Sequence, residues 1–251
     1  MNASSSALWM GCLGVLALVG GACGNSTLDL FDPDRGLLGH WAFDEGEPGA
    51  VAVDSSGFGL DATPSANPPV PTRDVPPVHF SDPYSLSFGG TDQWVNIGNP
   101  QLLNAGGRIS IAAWVRPTNV NGYHNVLAHG WRNGPNHEVA LRIVAGNYEF
   151  IYWNLVDHKA SAPIPASDIG SWVHLCGVFD GSVYYLYRNG TLAGSTSDSA
   201  TAPPDIDTPW AIGARAPQPD GLERLMEGEI DDLRIYGRAL SAAEAEALYD
   251  R

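Results

Sequence analysis

Cysteine is scarce, with three in 251 residues, at positions 12, 23 and 176. Two of them lie in the N-terminal stretch, so Cys176 stands alone in the remainder and an internal disulfide framework is excluded. No Cys-x-x-Cys pair, His-Glu-x-x-His zinc motif, Gly-rich phosphate loop or Gly-x-Ser-x-Gly elbow occurs, so the familiar metal, nucleotide and acyl-transfer signatures are missing. Basic residues are also few: 13 Lys plus Arg against 28 Asp plus Glu give a net charge of -15. They are scattered singly, without the positive field that nucleic acid or anionic lipid headgroups demand, and this excludes nucleic acid as a partner. The acidity suits an exported protein that offers carboxylates to a hard cation such as calcium, or it serves only solubility.

The apolar run from Ala7 to Val19 is too short to span a bilayer and has the length of a signal-peptide core. Met1 to Ala22 carries no charged side chain and is expected to be a signal peptide (1–22) that takes no part in the fold. Its ending, Leu18-Val19-Gly20-Gly21-Ala22-Cys23, resembles the lipobox of bacterial lipoproteins, in which the Cys is acylated and becomes the new N-terminus. The resemblance implies lipidation at Cys23, an outer-membrane or cell-surface location, and membrane contact only through that anchor. Gly20 stands where Leu is usual and no Lys or Arg precedes the run, so cleavage after Ala22 and secretion is the alternative. From Gly24 to about Gly36 the sequence is polar and aperiodic, which reads as a tether (23–36) ahead of one domain over 37–251.

The chain as a whole is rich in turn formers, with 29 Gly and 19 Pro. Short alternating segments lie between them, at 39–43, 85–88, 93–97, 109–115, 148–153, 172–179 and 183–187. Strands of this length between Gly, Pro, Asn and Asp indicate an antiparallel sandwich or barrel. Asn189-Gly190 between Tyr185-Leu186-Tyr187 and Leu192-Ala193 signals a type I′ hairpin, because both central residues need positive φ. The Pro-rich stretch from Ser55 to Pro83 is expected to be a surface excursion outside the ladders. Ser241 and Glu244 form a capping-box pattern that opens one short helix, Ser241 to Tyr249. Cys176, in the apolar run Val173 to Phe179, reads as a buried inert thiol, and Trp41, Trp114 and Trp172 as packed core.

Several segments together resemble the laminin-G-like domains of the concanavalin-A-like superfamily. They are Gly39-His40-Trp41-Ala42-Phe43-Asp44, Asp54-Ser55-Ser56-Gly57, Ser85-Leu86-Ser87-Phe88, Ile109 to Pro117, Trp172-Val173-His174, Tyr187-Arg188-Asn189-Gly190 and Gly228 to Ser241. In family order they cover most of residues 39 to 250. The resemblance implies an all-β fold, an antiparallel β-sandwich of jelly-roll type with a short C-terminal helix. It also implies a structural calcium joining the first strand and its loop to the last strand. Motif position then assigns Asp54 and Asp231, with Asp44 as a further candidate. Asp231, taken to alternate with Leu233 and Ile235 onto the inner face, would be costly there without a cation. The alternative is that Asp54 caps a turn and Asp231 pairs with an Arg or with backbone N–H groups.

Glu229-Ile230-Asp231-Asp232-Leu233-Arg234 looks like the catalytic strand of retaining β-glucanases on this fold, but Arg234 or Ile235 occupies the acid's place. Retaining hydrolysis needs two carboxyls about 5 Å apart, and this strand supplies no such pair. A polysaccharide lyase would need a Tyr–His acid–base pair beside a group that neutralises a uronate; Tyr123, His124, His129, Arg132 and His137 lie near one another in sequence without further lyase motifs. The expectation is therefore a non-catalytic extracellular module that binds a glycan or a protein, with a polysaccharide-degrading enzyme as the alternative. The candidate surface carries Tyr123, His124, Trp131 and Arg132, with Trp153 behind, since aromatic rings beside polar groups suit sugars. For Trp131, burial in the core is the competing assignment.

Overall fold

Alternation of apolar and polar residues puts one face of each strand inward, and two antiparallel sheets result. The computed structural model describes residues 32–104, 106–130, 137–201, 206–218 and 221–251. The signal segment, Cys23, Trp131 and Arg132 lie outside the described residues. The strands are β1 (Leu37–Trp41), β2 (Thr63–Pro64), β3 (Val70–Thr72), β4 (Ser85–Gly89), β5 (Val95–Gly98) and β6 (Ile109–Pro117). Next come β7 (Tyr123–Gly130), β8 (Glu138–Val144), β9 (Asn147–Trp153), β10 (Asp157–Pro163), β11 (Val173–Phe179) and β12 (Val183–Arg188). The last are β13 (Thr191–Ser197), β14 (Trp210–Ile212), β15 (Arg215–Gln218), β16 (Gly221–Glu223) and β17 (Glu227–Tyr236), followed by helix α1 (Ala242–Tyr249).

One sheet runs β13-β12-β11-β6-β17-β4-β3, with β1 also paired to β17; the other runs β10-β9-β8-β7-β14-β5-β2. Strands β15 and β16 form a separate hairpin. Between the sheets lies the main core, which includes Trp41, Phe88, Val115, Leu141, Phe150, Leu175, Trp210 and Leu233. Gly177 permits the close approach: a Cβ there would sit 2.3 Å from Cγ of Phe150 across the core. A second cluster lies outside the first sheet, where Ala245 and Leu248 of α1 cover Ala112, Cys176, Val178 and Tyr236. Strand β11 is thus covered on both faces, which explains its unbroken apolar run. Cys176 is free and buried, and burial pushes its thiol up to about 12.

Local chemistry sets the ends of the elements. Ser241 Oγ accepts from Glu244 N (3.3 Å) and Glu244 Oε2 accepts from Ser241 N (2.8 Å), the reciprocal cap expected from the sequence. Asn189 and Gly190 both have positive φ, 48° and 72°, and join β12 to β13. Two expectations change, and the burial expected of Trp114 holds. Part of the Pro-rich excursion does pair, since Val70-Pro71-Thr72 adds to β4 at the sheet edge, where a missing N–H can face solvent. Trp172 is half-exposed, its Nε1 donating to Asp74 Oδ1 at 3.0 Å. Trp114 is buried, but on the outer face of its sheet against His174 and Tyr249.

Candidate functional site

Strand β17 carries the acidic pair. Its register to β6 shifts between Asp231 and Arg234, and Asp232 adopts φ 44°. This bulge breaks the expected alternation: Ile230, Leu233 and Ile235 point into the core, while Asp231 lies opposite the outward Trp114. Asp231 is therefore on the outer face, a correction to the inner-face assignment. Its Oδ1 accepts from Asp232 N at 2.8 Å, and its Oδ2 is buried with no partner. Asp82 Oδ2 is likewise buried with no donor among the described residues, and its carboxyl lies against that of Asp231.

Burial, then the neighbouring Asp82, pushes the Asp231 carboxyl up to about 10. Burial, then Asp44 and Asp232, pushes Asp82 up to about 7, and burial also raises Asp44. Asp232 differs: burial opposes its ionisation, but bonds from His40 (2.6 Å) and Arg234 (2.8 Å) outweigh that and hold its pKa down. Asp44, Asp82 and Asp231 thus form a partly buried acidic group that makes no ion pair among the described residues, with His40 near enough to favour the charged form of Asp44. Among the described residues no three His, Cys, Asp or Glu side chains are gathered into a tight metal-ligand set. Two unpartnered carboxylate oxygens in one buried place nonetheless fit a hard cation, which would remove the repulsion.

Asp54 is engaged by four donors of its own. Its Oδ1 accepts from His40 N (3.0 Å) and Ser56 N (2.9 Å), its Oδ2 from Ser56 Oγ (2.8 Å) and Leu60 N (2.9 Å). Burial raises its pKa, but these four donors outweigh it and the net shift is downward. That is the chemistry of a turn organiser. Asp82, in an irregular Ser-Asp-Pro loop, carried no sequence motif; only the fold brings it to Asp231.

The second candidate is the outer face of the seven-stranded sheet. On β8 the inward residues are Val139, Leu141 and Ile143, so Glu138, Ala140 and Arg142 face outward. Ala128, Ala140 and Ile151 make a small apolar floor with Trp153 packed against it. Around it run linked charges. Arg215 grips Glu138 through two bonds (3.0 and 2.8 Å), Arg224 reaches the same carboxylate at 3.1 Å, and Arg142 lies 3.6 Å away. Arg142 also binds Glu149 (2.8 Å), which accepts from Lys159 (2.6 Å).

Tyr123 is 51% exposed, with the Arg224 guanidinium 4.6 Å from its ring centre. Tyr123 pairs with Val144 and Trp153 with Glu138. Six residues along β8 separate those partners, so the two aromatics stand roughly 20 Å apart at opposite ends of the face. His124 is buried, each ring nitrogen 2.7 Å from a backbone carbonyl, of Leu225 or Asn121; it braces this edge rather than facing a ligand. A Tyr–His pair exists, Tyr152 with His137 at 2.5 Å. The Tyr152 ring is buried in the core, and burial raises its pKa.

Two antiparallel sheets with one capping helix define a jelly-roll sandwich. Residues 88–246 match the concanavalin A-like lectin/glucanases superfamily, and the chain belongs to it. Among solved structures it is similar to domain 4 of AbnA, a GH43 extracellular arabinanase from Geobacillus stearothermophilus, in complex with arabinotriose. That match has TM-score 0.66 and 20% identity, over 85% of this chain and 98% of the other. The binding domain of Paraclostridial Mosquitocidal Protein 1 gives 0.67 and 15%, over 87% and 52%. The binding domain of botulinum neurotoxin DC in complex with SialylT gives 0.61 and 13%, over 87% and 52%. The chain spans about half the length of these toxin binding domains. At such identities the likeness is one of fold. No curated protein matches the sequence.

Proposed function

We propose that this protein is a non-catalytic binding module that takes a glycan on the outer face of its seven-stranded sheet. The observation that carries the reading is the pairing of aromatics with neutralised acids. Tyr123 and Trp153 frame the face, while Glu138 and Glu149 are each held by guanidinium groups. Aromatic rings offer apolar surface to sugar C–H groups, the partly exposed Arg224 and Lys159 offer directional bonds to hydroxyls, and the buried Glu138, Arg142, Glu149 and Arg215 hold the face in shape. A glycosidase would need one carboxyl free to give its proton and another free to attack. With both glutamates locked in ion pairs, the outer face suits binding better than turnover. The related fold of an arabinotriose-bound domain and of a SialylT-bound toxin domain supports a sugar as ligand.

Calcium belongs to the same proposal. Asp231, Asp82 and Asp44 would hold it, tying the last strand to the loop that follows β3 and to the segment after β1, and its charge would offset their repulsion. Export, with Cys23 as lipid anchor, completes the reading and would leave the module displayed outside the cell. A glycan array probed with the purified protein, with and without EDTA, tests the central point. Selective retention of one glycan class supports it, whereas no retention of any glycan defeats it.

A further inference from the structure

The two sheets end in four strands, β13 and β3 in the first and β10 and β2 in the second. An end strand shows a row of unpaired N–H and C=O groups to any other chain, and proteins blunt it with proline, charge or a cover. Three of these ends follow that rule. Pro64 stands in β2 and Pro71 in β3, while β10 carries Asp157, His158, Lys159 and Pro163. Strand β1, which branches from the first sheet, is met by Asp54 and Ser55: His40 N donates to Asp54 Oδ1 at 3.0 Å and His40 O accepts from Ser55 N at 2.8 Å. Strand β13 differs. Its residues, Thr191-Leu192-Ala193-Gly194-Ser195-Thr196-Ser197, include no proline and no charge, and all but Gly194 are exposed.

The bonds to β12 fix which side of β13 is free. Asp198 N donates to Ser182 O at 2.8 Å, so Asp198 turns toward β12. Alternation then directs Thr196 to β12 as well, and Ser195 and Ser197 away from it. Strand β10 passes close to β13, but not on that side: a Cβ on Gly194 would lie 2.4 Å from Ser161 O, and Cβ atoms point out of the plane of a sheet rather than along its ladder. The backbone groups of Ser195 and Ser197 are thus open to another strand. Charge decides what fits them. At a net charge of -15 a foreign partner would be drawn by its cationic groups to the acidic surfaces, and this neutral strip offers them nothing to hold. A copy of the same strip meets no repulsion here, and an isologous contact needs only a patch that complements itself.

We infer that β13 is the contact between two copies of this chain, paired antiparallel about a two-fold axis through Ser195. The two Ser195 residues then exchange both of their N–H···O=C bonds. Ser197 lies opposite the second copy's Ala193, and each Asp198 stays about 20 Å from its counterpart along the strand. The inference does not depend on glycan binding at the outer face. One pair of strands is a small interface, so the dimer is weak and its population follows concentration. Sedimentation equilibrium of the full-length protein should show monomer and dimer in exchange, and hydrogen exchange at the Ser195 and Ser197 amides should slow as the protein is concentrated. Ser195→Pro removes the two central bonds, leaves the ladder to β12 intact and should weaken dimerisation about 30-fold. Ser195→Lys sets two like charges across the axis and should weaken it too, which keeps the test open if the proline variant does not fold. A monomer even at about 1 mM protein, a dimer that neither variant weakens, or slowed exchange at β10, β2 or β3 in place of β13 would overturn the assignment.

Discussion

Glu138 is the most heavily committed side chain of the proposed binding face, and its removal is a strong test of how that face is held. It is 0% exposed, and its main partner Arg215 is 1% exposed. In Glu138→Ala, Arg215 loses both bonds to this carboxylate and keeps Glu223 at 2.7 Å, while Arg224 and Arg142 lose a shared counter-charge. Arg224 is already pushed down to about 10, by burial first and by the nearby Arg215 and Arg142 among other charges, so the vacancy would worsen an existing repulsion. Breaking a buried pair from one side costs about 3–5 kcal/mol. At about 2–4 °C per kcal/mol for a domain of this size, the melting temperature should fall by roughly 6–20 °C. Glu138→Gln preserves the volume and one acceptor, and about 1–3 kcal/mol is expected. Thermal unfolding followed by circular dichroism, with urea titration in parallel, gives both values. A fall below 3 °C for the alanine variant would refute the reasoning, because it would mean that the guanidiniums find water or other acceptors at no cost.

The remaining predictions address the cation, the core and the anchor. Excess calcium at about 100 times its dissociation constant should add roughly 2.7 kcal/mol of stability, which EDTA should remove. Asp231→Asn should abolish that sensitivity and Asp54→Asn should leave it intact; an unchanged melting temperature on chelation, with no metal by elemental analysis, sinks the site. Gly177→Ala forces a methyl into Phe150 and should cost about 1–3 kcal/mol, and unaltered stability would show that the sheets can part there freely. Full-length protein made in a bacterial host should enter the membrane fraction and Cys23→Ser should release it. A soluble wild-type product with an unmodified Cys23 contradicts lipidation.

Much of the fold was legible because local and global signals agree. The Asn189-Gly190 turn, the Ser241 and Glu244 cap and the apolar run of β11 each state their own structure, and the landmark segments arrive in family order. Residue alternation failed where the backbone broke its own period: the bulge at Asp231 and Asp232 turns Asp231 outward, and no pattern of side chains announces a positive φ at an aspartate. Asp82 was invisible for another reason, since its loop is irregular and its meaning comes only from a strand far away in sequence. Glu138, Arg142, Glu149, Arg215 and Arg224 were missed likewise, because buried charges on an outer face look in sequence like ordinary solvated ones. Tyr123 and Trp153 do share a face as their strand positions allow, though at its opposite ends, with the neutralised acids between them.

The central claim is sugar binding without turnover on this face, and the most direct test is calorimetric titration of the oligosaccharide selected by the array into wild-type protein and Trp153→Ala. Loss of the ring should weaken binding by about 1–3 kcal/mol, by analogy with aromatic anchors at other interfaces. The melting temperature should change little, because Trp153 is only partly buried, and the oligosaccharide should be recovered intact. Undiminished affinity in Trp153→Ala, or cleavage of the sugar during the titration, would contradict the account.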